Sequence, residues 1–166
     1  MNTLRKLVRT DDSTLTIILR VMVGVVFLVE GIQKFLYPAE LGVGRFIKIG
    51  IPAPEILAPF TAGFEIGAGL CVLLGLFTRP AALALVTIMI VAITSTKIPI
   101  LLGHGFWGFS LRSLPRYGFL AMAHEMRTDW AMLLGSIYLL IAGGGRWSID
   151  RKVAGRDGSA SGREPR

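Results

Sequence analysis

The chain has 166 residues, 52% of them apolar and only 17% charged, with a mean hydropathy of +0.61. That composition leaves too little polar surface for a water-soluble domain of this size, since a soluble bundle would need a polar face on each helix. The formal charge of +7 comes from cations beside apolar runs and in the tail, without a basic helix or recognised binding motif. It argues for anionic lipid and topology control and against nucleic acid.

Cys71 is the only cysteine, which excludes an intrachain disulfide, a CxxC dithiol and a four-cysteine metal site. The reading is an all-α, integral membrane four-helix transmembrane bundle. It comprises a cytoplasmic N-terminal segment (1–14), a membrane domain (15–151) and a disordered basic tail (152–166). Arg5, Lys6 and Arg9 precede the first apolar run as in a signal peptide. The run is too long for an h-region and lacks a small-x-small cleavage site, so an uncleaved first helix is expected.

That first span, residues 15–37, is long enough to cross the hydrocarbon yet carries Arg20, Glu30 and Lys34. Charges in such a span usually face a protein interior or a water-filled cavity. Arg20, Gly24, Phe27, Gly31 and Lys34 recur at spacings of four and three, which places them on one helix face. Residues 38–53 are too short and glycine-rich to span. They read either as an interfacial segment, with Leu41, Phe46, Ile47 and Ile49 toward lipid and Arg45 and Lys48 toward water, or as a plain loop.

A second span is expected over residues 55–77, with Glu65 near its middle and Gly63 and Gly67 forming a GxxxG pair suited to close helix packing. Thr78 can cap the third span, residues 80–102, and Pro80 suits its first turn. Pro99 is expected to end or kink that span, and Lys97 to snorkel to the interface. Residues 103–128 read as an aromatic, basic lid or interfacial loop. The fourth span, over residues 129–145, closes on a glycine run where left-handed helix termination is expected, and Trp147 suits the membrane interface.

Four spans put both termini on one side. Arg5, Lys6, Arg9, Arg79, Arg146, Arg151, Lys152 and Arg156 lie near that face, against Lys34, Arg45, Lys48, Lys97, Arg112, Arg116 and Arg127 on the other. The asymmetry predicts cytoplasmic termini in the cell (inner) membrane.

The candidate site is the intramembrane set Arg20, Glu30, Lys34, Glu65 and Asp129. With the first two spans antiparallel, Arg20 is expected to approach Glu65, and Lys34 to meet Glu30 one turn back or Asp129. Two readings stay open: the charges bind the head of a quinone or other small apolar molecule, with Glu65 exchanging a proton, or they only lock helix register. No catalytic residue is assigned. His104 and His124, even with Glu125 or Asp129, make weak ligand spacing, and HEMRT has Thr128 where a metalloprotease needs histidine, so no metal site is expected.

The series Arg20, Gly24, Phe27, Gly31, Lys34, then Glu65 followed by GAGLCVLLGLFTRPAALAL and a fourth span closing on GGGRWSID, resembles the DoxX family of small four-helix membrane proteins over about residues 15–151. Asp129 stands where the family often has Glu, and GGGRWSID replaces a Gly-Pro-Gly ending. The resemblance implies a membrane subunit or partner of a quinone-linked oxidoreductase, with quinone as the implied cofactor. A small-solute carrier or membrane-protein assembly factor is the alternative, and four spans would suit a homo-oligomer in the lipid bilayer.

Overall fold

A computed structural model describes residues 10, 11 and 13–153. The readings for residues 1–9, Asp12 and 154–166, including most of the tail, lie outside the described residues. Among the described residues the helices with both ends placed are, in order, α1 Thr16–Leu36, α2 Val43–Ile49, α3 Pro54–Leu74, α4 Thr78–Leu102, α5 Phe119–Glu125 and α6 Arg127–Ala142, and helical backbone resumes at 149–153. The described residues contain no strand beyond one isolated bridge between Phe106 and Phe109.

Helices α1, α3 and α4 are long and apolar enough to cross a membrane. Helix α6 has 16 residues, about 24 Å at 1.5 Å per residue, shorter than the roughly 30 Å hydrocarbon core. The surface of all four is apolar: Ile18, Phe35, Ile56, Leu83 and Ile141 are each more than half exposed. The interior instead holds Thr16, Arg20, Glu65, Ser95 and Ser136 beside Val23, Phe27, Val72, Leu85 and Leu139. Polar groups inside an apolar jacket are what a bilayer, and not water, makes stable.

Helix α1 packs chiefly on an antiparallel α3, and α6 chiefly on α4. Glycines set the first seam. A Cβ at Gly24 would lie 2.5 Å from the Leu73 side chain and 2.9 Å from the Gly69 carbonyl, and one at Gly31 2.7 Å from the Ala62 carbonyl. The Gly63 and Gly67 pair, read from sequence as a packing motif, does not make this contact: a Cβ at either position meets nothing within 4 Å. They line an open groove of about 540 Å³ with Pro59, Phe60, Cys71 and Phe77. Accordingly, Gly24→Ala should destabilise the bundle by about 1–3 kcal/mol through overpacking. Gly67→Ala should be neutral or stabilising by up to about 1 kcal/mol through helix propensity. Unfolding of both variants in detergent, monitored by circular dichroism, checks the contrast.

Several helix ends depart from expectation for local reasons. Helix α3 stops at Leu74 because Gly75 is left-handed (φ 66°), its N–H bonding to the Val72 carbonyl while the Leu76 N–H reaches Cys71. Helix α4 begins at Thr78 and runs through Pro99, ending at left-handed Gly103. Helix α6 ends at Ala142; Gly143 has φ 82° but ψ −161°, so the termination is not the left-handed helical one anticipated. Between α1 and α3 the short helix α2 buries Phe46 and exposes Arg45, Ile47 and Lys48.

Candidate functional site

Glu30, Lys34 and Glu65 form one polar cluster. Lys34 sits two residues from the end of α1, and Glu65 is at the middle of the antiparallel α3. Side chains on a helix lean toward its N-terminus. Lys34 therefore reaches back toward the centre of the bundle while Glu65 reaches toward the end where α3 starts, and the two converge. Their Nζ and Oε2 atoms are 2.6 Å apart, with the side chains 12% and 6% exposed. Glu30, one turn before Lys34, places a carboxylate oxygen 3.7 Å from the same ammonium and is half exposed. Arg45 of α2 also acts electrostatically on Glu65. The cluster thus grades from a buried carboxylate, through a shared cation, to a carboxylate at the rim.

The same leaning separates Arg20 from Glu65, which the sequence reading had paired. Arg20 points toward the N-terminus of α1, where helix α3 ends with its last carbonyls open. Its Nε donates to the Val72 carbonyl at 2.9 Å and one terminal nitrogen to Leu73 at 2.5 Å. The other donates to Gly144 at 3.2 Å and Trp147 at 2.8 Å, in the segment after α6. A guanidinium fork suits this task, because it projects donors in fixed directions and its charge complements a helix C-terminus. Gly75 leaves the room: a Cβ there would lie 2.7 Å from the Arg20 guanidinium carbon.

Asp129 does not meet Lys34 either; its carboxylate takes Lys97 at 2.9 Å. Lys97 is thereby held between α4 and α6, 12% exposed. Of the five candidate residues, the structure joins Glu30, Lys34 and Glu65, and places Arg20 and Asp129 in separate contacts.

Sequence reasoning missed Asp150, which is 1% exposed. Its carboxylate accepts the Phe77 N–H at 2.7 Å and the Thr78 N–H at 2.9 Å, capping α4 from a distance, and it acts electrostatically on Arg20. Thr78, expected to be the cap, has a buried hydroxyl with no hydrogen-bond partner among the described residues. A signal for Asp150 was present in Ser148-Ile149-Asp150-Arg151. Ser148 Oγ accepts the Arg151 N–H at 3.2 Å, the geometry of an N-cap, where a new helical turn starts.

The histidines stay apart from this chemistry. His104 Nδ1 lies 2.8 Å from the Gly105 carbonyl, and His124 Nε2 lies 3.2 Å from an Arg127 nitrogen. Among the described residues no three His, Cys, Asp or Glu side chains gather where they could hold a metal ion.

Comparison with known proteins gives two findings. The DoxX family model matches residues 15–98. The chain is also similar to the uncharacterized membrane protein Rv3486 of Mycobacterium tuberculosis (strain ATCC 25618 / H37Rv). The two are 48% identical over 151 residues, spanning 91% of this chain and 88% of that protein. No solved structure matches.

Proposed function

This chain belongs to the DoxX family of membrane proteins, and from that premise we propose that it works as a membrane subunit or partner of a quinone-linked oxidoreductase. In this reading α1, α3, α4 and α6 form a four-helix bundle in the cell (inner) membrane with both termini cytoplasmic. The Glu30, Lys34 and Glu65 cluster receives the polar head of a quinone. The observation that carries the proposal is the buried Lys34–Glu65 pair with its half-exposed third member, Glu30, one turn earlier on α1.

Lys34 supplies a donor for a carbonyl oxygen, and Glu30 or Glu65 an acceptor for a hydroxyl. Glu65 is the group that exchanges the proton. A bound quinone supplies the electron chemistry, and with Cys71 as the only cysteine the chain has no dithiol of its own, so electrons reach it from the partner. A carrier or assembly factor acting as a homo-oligomer is the second reading. The unfilled groove at Gly63 and Gly67 favours it, because small residues at this spacing accept a neighbouring helix.

Purification in mild detergent followed by native mass spectrometry separates the two. A retained quinone or oxidoreductase subunit supports the first; a lone oligomer stabilised by a small solute supports the second. Glu65→Gln preserves size and an acceptor for Lys34, while Glu30 keeps a carboxylate 3.7 Å from the ammonium, so it should lose less stability than Glu65→Leu yet lose the retained molecule. Unchanged retention and activity in a folded Glu65→Gln protein would sink the proton role. Failure to assemble would mean that the cluster is a structural lock.

A further inference from the structure

We propose that the segment between α4 and α5 carries a membrane-interface anchor, in which Trp107 seats in the headgroup layer of the bilayer with Arg112 and Arg116 beside lipid phosphates. Residues 106–109 form a two-residue hairpin: the Phe106 N–H donates to the Phe109 carbonyl at 3.0 Å and the Phe109 N–H to Phe106 at 2.8 Å. Both central residues have positive φ, 51° at Trp107 and 92° at Gly108, as such a turn demands. Turn chemistry favours Asn, Asp or Gly at the first of these positions. A tryptophan there is strained by about 1–2 kcal/mol, and at 88% it is the most exposed large apolar side chain among the described residues. Its ring lies 6.3 Å from that of the adjacent Phe106.

The hairpin is held at the level of the helix ends. The Ser110 N–H donates to the Ile49 carbonyl at 2.7 Å, and the Gly108 carbonyl lies against Gly50, just ahead of α3. Helix α4 ends at Leu102, five residues before Trp107, so the tip stands at most about 18 Å from that end even if the chain is fully extended. Tyr37 and Trp130, each about half exposed, flank the same end of the bundle, where aromatic residues mark the edge of the hydrocarbon.

Charge fits the same surface. Residues 103–118 contain Arg112 and Arg116 and no Asp or Glu. Both are exposed, and Arg112 lies 3.4 Å from Glu125, a contact that a phosphate can share through the guanidinium fork. Phe119 and Leu120, 67% and 82% exposed, extend the apolar surface. An indole with flanking arginines matches the apolar-to-anionic gradient of the lipid interface.

The test uses the full chain with Trp130→Phe and Trp147→Phe, so that Trp107 is the sole tryptophan, in phosphatidylcholine–phosphatidylglycerol vesicles. The expected result is quenching by lipids brominated high on the acyl chain, with aqueous iodide quenching several-fold weaker than for free indole. A second measurement places a spin label at Trp107→Cys in a Cys71→Ser background, where its accessibility to oxygen against a nickel chelate should report headgroup depth. Full aqueous access in both measurements overturns the proposal and leaves the hairpin as a docking point for a protein partner.

Discussion

Arg20→Ala should cost about 3–5 kcal/mol of bundle stability, by the standard of a buried charge network that loses one partner. Four carbonyls lose a donor together: Val72, which keeps the Gly75 N–H, and Leu73 at the end of α3, and Gly144 and Trp147 beyond α6. A buried acceptor left unsatisfied costs about 1–3 kcal/mol. The Val72 and Gly144 bonds are buried, and those to Leu73 and Trp147 are partly so. The Gly144 carbonyl therefore dominates, because Val72 keeps the Gly75 N–H and water can replace the other two in part. Arg20→Lys restores the charge but supplies no fork, and it should recover less than half of the loss. Denaturant unfolding in detergent micelles measures both variants. A loss below about 1 kcal/mol for Arg20→Ala, smaller than a single unsatisfied buried acceptor, would show that α3 and the segment after α6 are held without it.

The second large effect is a difference between single and double substitution. Lys34→Met and Glu65→Leu should each cost about 3–5 kcal/mol, because each leaves a buried charge without its partner. The double variant should fall within about 1 kcal/mol of the original or exceed it, since two apolar side chains remove both desolvation costs at once. Glu30→Gln should change stability by less than about 1 kcal/mol, as its carboxylate is half exposed at 3.7 Å. The effects of Lys34→Met and Glu65→Leu should change little with salt, because the pair is shielded from solvent. A thermodynamic cycle over the four proteins reads the coupling directly. Additive losses would mean that Lys34 and Glu65 are stabilised by different neighbours.

Much of this arrangement is legible in residue spacing. The stripe Arg20, Gly24, Phe27 and Gly31 is buried along α1 as its period requires, and membrane-length helices occur at the first three apolar runs. Spacing along one helix says which residues share a face, but pairing across helices depends also on the direction in which side chains lean. That is why the antiparallel arrangement of the two spans suggests Arg20 for Glu65, whereas both leaning directions favour Lys34. Gly63 and Gly67 carry the same motif as a true seam, and only the rotation of α3 decides that Gly69 faces α1 instead. Asp150 was hidden for a different reason: its partners are backbone N–H groups some seventy residues away in sequence, and backbone donors leave no residue type to recognise.

The contacts at the end of the bundle where α1 begins also bear on the order in which the fold is completed. Arg20 is made early, but two of its four acceptors lie in residues 144–147, and the carboxylate that caps α4 is at position 150. The backbone of Asp11 and Ser13 likewise bonds to Ala142 and Arg146, late in the chain. Until those residues have been translated, a guanidinium in the first helix and the open N–H groups of α4 lack their final partners. Helices α1, α3 and α4 therefore enter the bilayer as an unfinished assembly, and the closing step of folding belongs to the segment that follows α6.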